Sequence, residues 1–545
     1  MARSTRAALI ALLSLLILGA VAWVSHRATA QEEPGRQTTI TIPITEYEWW
    51  LLSWEDNEIE CVILTDHEGL PTGEDVRKSC GSELQAEWLS TPACERITKG
   101  KGDITSCPGM YLILVSSQPK QKKMEIDLPP ATAWVSLEGC TPVPPENLCE
   151  RMPNLLLTGE EPLPNEQITS VEGTYNGVPF ACDEAACSIP LSTTSREGVV
   201  VEFWANSSFG DSSLHYTAQV RVIDAGVSLA PGGGGWHVDV LSTQWRGAPL
   251  ASCSQTWETF PPVAGSVPWL SSPKQPTLLT SDEAYYYLAG RLIAQGIVDA
   301  SHCSSAGLLP NGYADTCGLE AAAPQVMAWQ NQFDERIVQV SKETGVPAQL
   351  MKNLFAQESQ FWPGVFRVPY EFGLGQITDK GTDVILLWNE EFFDQFCPLV
   401  LAEDACEGGY LKLKPADQAI LRGALALEAK SDCPDCPTGV DLTNANFSIS
   451  LFGETLKANC EQVNQIIRTA TQEQAPGSVS SYENLWRFTI ANYHAGPGCL
   501  AYAINMAWQQ GGAPLTWENV SPNFTDPCKG VIPYVEKITQ LPLIP

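Results

Sequence analysis

Residues 347–363 read PAQLMKNLFAQESQFWP, and the spacing of their apolar side chains decides how the C-terminal half of the chain folds. Leu350 and Leu354 recur four residues apart with Met351 and Phe355 beside them, which is the repeat of one helix face. Pro347 stands near the first turn, where a missing backbone N–H leaves nothing unsatisfied. One further step along the stripe is Glu358, an acid at a position the pattern reserves for an apolar side chain. Burial beside Phe355, Phe361 and Trp362 would raise the pKa of this carboxyl, the condition for donating a proton near neutral pH.

Helical spacing continues on both sides of this stretch. Ser281 is placed to cap a helix running through Tyr285, Leu288, Leu292 and Ile293. A second carries Val326, Trp329, Phe333, Ile337 and Val340 and stops at Gly345. Trp486, Ile490 and Tyr493 share a face of a third, which Gly496 and Pro497 terminate. Residues 379–440 read as an insertion with helical segments and four cysteines.

The N-terminal half follows a different period. Tyr216, Ala218, Val220 and Val222 alternate with Thr217, Gln219 and Arg221, as in a half-buried strand. Residues 38–42, 110–115 and 199–204 are further strand candidates, with turn residues crowded between them as in a sandwich. Prolines concentrate in residues 128–164 and again in 261–276. The expected architecture is multidomain: an all-β, sandwich-like, disulfide-linked region, then an all-α domain. The expected units are a β-rich domain at 31–127, a Pro-rich connection at 128–165 and a sandwich-like domain at 166–260. A linker at 261–277 and a helical domain at 278–545 complete the chain.

Composition narrows the function classes. With 545 residues, 44% of them hydrophobic and 17% charged, the chain can bury several cores. Arg3 and Arg6, the apolar run 7–24 and Ala28-Thr29-Ala30 read as an export signal; an uncleaved membrane anchor is the alternative. All 18 cysteines follow residue 30, an even number that suits disulfides in an exported chain. Cys182/Cys187, Cys303/Cys317, Cys397/Cys406 and Cys499/Cys528 are close enough in sequence for local bridges, although spacing alone does not fix connectivity. Cys433 and Cys436 form a CxxC with no second ligand pair, which favours a local disulfide over zinc. A formal charge of −31 argues against nucleic-acid binding, which needs clustered Lys and Arg. It suits solubility outside the cell.

Four motifs in order carry a resemblance: ESQF from Glu358, GLGQI from Gly373, NFSISLFGETL from Asn446 and NYHAGPG from Asn492. Together they resemble the lytic transglycosylase domain of the soluble-lytic-transglycosylase-like group, glycoside hydrolase family 23, over roughly residues 320–545. The resemblance implies a lysozyme-like α fold and cleavage of peptidoglycan glycan strands, with neither cofactor nor metal. It also implies that Glu358 is the acid/base and Ser359 its companion. Gly373, Leu374 and Gln376, with Tyr493, Ala495 and Gly496, then line the sugar groove, and Tyr493 sits close to the carboxyl. Gly375 stands where the family usually has Met, implying a more open pocket wall, and His494 stands where it usually has Asn. The β region resembles no family in this way.

Each residue also has a plainer reading. Ser359 is equally a helix-end hydroxyl. Gly373 and Gly375 suit a tight turn, Gln376 a structural hydrogen bond, and Tyr493 a core position. His494 reads as a surface or backbone-bonding residue. Glu371, Asp379 and Asp383 read as surface acids, but any one facing Glu358 across a groove would activate water and make the enzyme a hydrolase. Trp49, Trp50 and Trp54 in the β region suit core packing more than sugar stacking. The rival functions are therefore a goose-type lysozyme activity and a wall-binding protein without turnover.

Overall fold

A computed structural model describes residues 36–90, 109–143, 146–227, 234–248, 250–263, 265–363, 366–367 and 370–540. The expected export signal, Cys94 and Cys107 lie outside these residues. Among the described residues no helix is long and apolar enough to cross a membrane. Two compact units emerge: residues up to Pro130 with Pro162–Glu166, and the remainder from Ala131.

In the first unit, strands β1 (Gln37–Ser53), β2 (Ile59–Thr65) and β3 (Met110–Asp127) form an antiparallel sheet in the order β2-β1-β3. Its small core is Trp49, Leu51, Ile63 and Val76. Val76 comes from helix α1 (Gly73–Ser90), which the Cys61–Cys80 disulfide fastens to β2. An all-β reading of this part therefore misses a helix. Its charged, weakly periodic sequence gave no apolar stripe, and the crosslink holds it instead.

The second unit opens with a sandwich. One sheet has the order β5-β12-β11-β10-β7-β8, and the facing sheet the order β4-β6-β9. The strands are β4 (Thr132–Glu138), β5 (Leu148–Cys149), β6 (Asn154–Glu160), β7 (Ile168–Tyr175), β8 (Val178–Cys182), β9 (Ala186–Pro190), β10 (Val199–Ser207), β11 (Tyr216–Asp224) and β12 (Trp236–Leu241). Alternate residues Val201, Phe203 and Ala205 lie beside Ala218, Val220 and Val222 on the inner face of the larger sheet, joined by Leu155 and Leu157 from the opposite sheet. The Pro-rich connection expected at 128–165 thus contains β4, β5 and β6, because its prolines flank β4 and β6 and leave their ladders intact. At the edge of this core Arg221 donates from Nε to Asp239 Oδ2 (2.8 Å) and from Nη2 to the Pro261 carbonyl (2.7 Å). The expected linker is anchored there, and it continues into the helical core through Trp269 and Leu270. It is packed chain and not a tether.

Eleven longer helices follow among the described residues: α2 (Tyr286–Ala294), α3 (Thr316–Asn331), α4 (Asp334–Thr344), α5 (Ala348–Glu358), α6 (Asp379–Trp388), α7 (Glu390–Val400), α8 (Pro415–Ala429), α9 (Leu442–Thr471), α10 (Tyr482–Ala495), α11 (Pro497–Gly511) and α12 (Val531–Thr539). The central one is α9, whose Ile449, Phe452, Leu456, Val463 and Ile467 are buried at helical spacing. It packs against α4, α6, α8, α10 and α11. The Cys253–Cys460 disulfide ties its middle to a segment 207 residues earlier. The helix expected from Ser281 begins only at Tyr286, because Tyr285 is left-handed (φ 55°) and its hydroxyl bonds to Ser281 instead. The expected run through Phe333 is two helices, α3 and α4. An all-α reading also misses a small sheet of β13 (Phe366–Arg367), β14 (Tyr370–Phe372) and β15 (Ile377–Thr378).

Eight disulfides join the described cysteines, including Cys433–Cys436 and the four local pairs anticipated from spacing. No described cysteine is free, which fits an oxidising compartment.

Candidate active site

Glu358 is the last residue of α5, and the chain turns sharply after it. Gln360 and Phe361 both adopt left-handed backbone angles (φ 49° and 58°), a conformation that costs a non-glycine residue about 1–3 kcal/mol. Three contacts hold this turn. Gln360 Oε1 accepts the backbone N–H groups of Tyr287 and Leu288 (2.9 and 3.2 Å), two orphan donors in the first turn of α2. Trp329 Nε1 donates to the Phe361 carbonyl at 2.8 Å. The Phe361 ring is fully buried against Phe355, Phe333 and Tyr285. The direction of Glu358 is therefore fixed by a cap that one helix supplies to another.

The carboxyl of Glu358 is largely withdrawn from water, while the residue keeps an exposed edge. Tyr534 of α12 donates its hydroxyl to Glu358 Oε1. Burial pushes the Glu358 pKa up to about 7; the Tyr534 hydrogen bond opposes this and the charge of Glu371 adds to it. Tyr534 is 7% exposed, and His494 stacks on its ring with centroids 3.8 Å apart. Burial holds the His494 pKa below its ordinary value.

The hairpin from β14 to β15 supplies a second wall. Tyr493 donates its hydroxyl to the Gly375 carbonyl in the turn, and its ring meets Phe452 edge-on at 5.3 Å. Burial raises the Tyr493 pKa well above 10, and the charges of Glu358 and Glu371 raise it further, so both acids lie within electrostatic reach of it. Glu371 is half-buried on β14 and is itself raised by burial.

The other expected residues sit as follows. Ser359 is 3% exposed and donates to the Phe355 carbonyl (3.3 Å), a helix-end bond. Leu374 is fully buried, and its N–H donates to Ser448 Oγ at 3.1 Å, so its side chain packs in the core and lines no opening. Gln376 is 6% exposed and donates from Nε2 to the Gly373 carbonyl at 2.7 Å, closing its own turn. Gly373 is a required glycine: its φ is 66° and a Cβ would lie 2.4 Å from Ser448 Cβ. Ala495 and Gly496 end α10, half-buried, with Gly496 at φ 81°. The more open wall expected at Gly375 is absent, because the Phe452 ring fills that direction, 2.2 Å from where a Cβ would stand. Asp383 accepts from Tyr410 and Arg422 and is thereby spoken for.

Spacing missed Tyr534 and Gln360, and Glu371, expected as a surface acid, is half-buried on β14. Tyr534 had a readable signal, since Val531, Tyr534, Val535 and Ile538 form one apolar face. The one grouping of metal-type side chains among the described residues, His302 with Cys303 and Cys317, has both sulfurs joined in a disulfide. Comparison with family models, with curated proteins and with solved structures finds no match.

Proposed function

We propose that the helical region is a peptidoglycan lytic transglycosylase in which Glu358 acts first as acid and then as base. The observation that carries this reading is a carboxyl with a pKa near 7, shielded from water and held by a tyrosine hydroxyl at a fixed helix end. A group with that pKa is present in both protonation states at neutral pH, as a single acid/base requires. Glu358 protonates the oxygen linking N-acetylmuramic acid to N-acetylglucosamine, and the muramyl N-acetyl group stabilises the electron-poor anomeric carbon. The carboxylate then takes the proton from the muramyl 6-hydroxyl, which closes a 1,6-anhydro ring and regenerates the acid. Tyr534, bonded to Oε1, stabilises the carboxylate between the two transfers and leaves Oε2 for the exchange. No cofactor or metal takes part in this sequence. The substrate is the glycan strand, which fits an exported enzyme of the cell envelope.

A second reading has its own support. The charge of Glu371 is felt at Glu358, and a second acid near the first is what a hydrolase needs to activate water. The same bond would then be cleaved as in goose-type lysozymes. A peptidoglycan digest analysed by mass separates the two: 1,6-anhydromuramyl ends are 18 mass units, one water, lighter than the reducing ends a hydrolase leaves. An intact suspension after incubation with the parent protein would defeat both.

A further inference from the structure

A pocket of about 520 Å³ lies between α6, α9 and α11, lined by residues none of which belongs to the candidate site. That volume is within the range of small-ligand sites. Its walls include the aromatic rings of Trp388 and Tyr502, and its polar groups are the amides of Gln462, Gln465 and Asn505 and the hydroxyl of Thr469. The lining carries no charged side chain, in a chain of net charge −31.

Gln462 is the informative residue. It is 8% exposed, and its Oε1 accepts from Asn492 Nδ2 at 2.8 Å. Asn492 Nδ2 also donates to Asn459 Oδ1, and Asn459 Nδ2 donates to the Thr455 carbonyl. This chain of bonds fixes which end of each amide is which. It leaves the Nε2 donors of Gln462 without a protein partner among the described residues, on a side chain that is nine-tenths buried and lines the pocket. A donor placed in this way is open to an acceptor that enters the pocket.

We propose that this pocket binds a neutral N-acetylated amino sugar, its ring face on Tyr502 or Trp388 and its acetamido carbonyl accepting from Gln462. A hydrocarbon chain would strand the amide donors, and a carboxylate-bearing peptide stem would find no cation in the lining. A sugar offers both an apolar face and acceptors. The inference rests on the glycan-cleaving reading for its choice of sugar. Gln462 accepts from Asn492 of α10, the helix that also carries Tyr493.

The test uses the full-length Glu358→Gln protein, in which turnover is slowed, titrated calorimetrically with a β-1,4 N-acetylglucosamine tetramer. Cellotetraose, which lacks the acetamido groups, is the control. The tetramer is expected to bind, and Tyr502→Ala, on the exposed rim, to weaken binding about five- to tenfold. Gln462→Leu is expected to reduce it to the level of cellotetraose. Unchanged binding in Tyr502→Ala, equal binding of cellotetraose, or no tetramer binding at all would overturn the proposal. Should Gln462→Leu fail to fold, Tyr502→Ala decides. The digest of the parent protein is independent: binding through the pocket without cleavage defeats the catalytic reading alone, and cleavage with pocket-independent binding defeats the pocket alone.

Discussion

Helix α5 removes charged groups from water at two places, and it treats them oppositely. In its middle, Lys352 is fully buried and donates to Asp334 Oδ1 at 2.5 Å and Asn331 Oδ1 at 3.0 Å. Burial pushes the Lys352 pKa down and that of Asp334 up, yet each has the other as its counter-charge. At its C-terminal end Glu358 is given a tyrosine hydroxyl and a nearby acid in place of a cation. A buried acid with a cation beside it is structure, whereas one with only a neutral donor keeps a proton to exchange. One helix therefore holds both a fixed strut and a candidate acid/base, separated by less than two turns.

Breaking the reactive end should have the largest effect. Glu358→Gln is expected to slow glycan cleavage about 10³-fold, followed by the clearing of a peptidoglycan suspension. A variant that clears as fast as the parent would dissolve the contrast. Breaking the strut should cost stability instead: Lys352→Met leaves Asp334 buried and unpaired, an expected loss of about 3–5 kcal/mol in denaturant unfolding. Adding Asp334→Asn to that variant should recover most of the loss.

Gln360→Met tests the clamp between the two helices. Losing the acceptor for two buried N–H groups should lower stability by about 1–3 kcal/mol, and Gln360→Glu should restore it. The pH dependence of stability sharpens the comparison further. The folded-state pKa of Glu358 is raised from 4.5 to about 7, so its stabilising contribution is complete below pH 4.5 and is lost as pH rises through 7. Glutamine stays neutral throughout. Glu358→Gln should match the parent at pH 4 and exceed it at pH 8 by about 3 kcal/mol. If the difference instead grows toward low pH, the carboxyl is not desolvated as described. The smallest effect belongs to Glu371→Gln: removing one like charge should move the alkaline limb of the activity profile down by a few tenths of a pH unit. A complete loss of water-incorporating products in that variant would favour the hydrolase.

Much of this arrangement was legible in the chain. The helix that begins after Pro347 and ends at Glu358 follows from apolar spacing, and so does α10 up to Gly496, because both are local periodicities. The strands of the sandwich followed from alternation in the same way. The helix 73–90 escaped because a disulfide holds it and leaves no local pattern, and the strands within 128–165 escaped because the prolines around them outweighed their short alternation. Leu374 and Gln376 were read as groove residues from a motif, and their burial depends on Ser448 and Phe452 of α9, more than 70 residues away.

Sequence by itself determined that an acid would end a buried helical stripe, that helices would follow strands, and that cysteines would pair. Only the tertiary structure decided which groups would meet that acid. Tyr534 reaches it from 176 positions along the chain, and Gln360 fixes its direction through a helix more than 70 positions earlier. Periodicity records which face of an element is apolar; it does not record what that face will be pressed against. A pKa is set by those neighbours, and so the chemistry of Glu358 belongs to the packing.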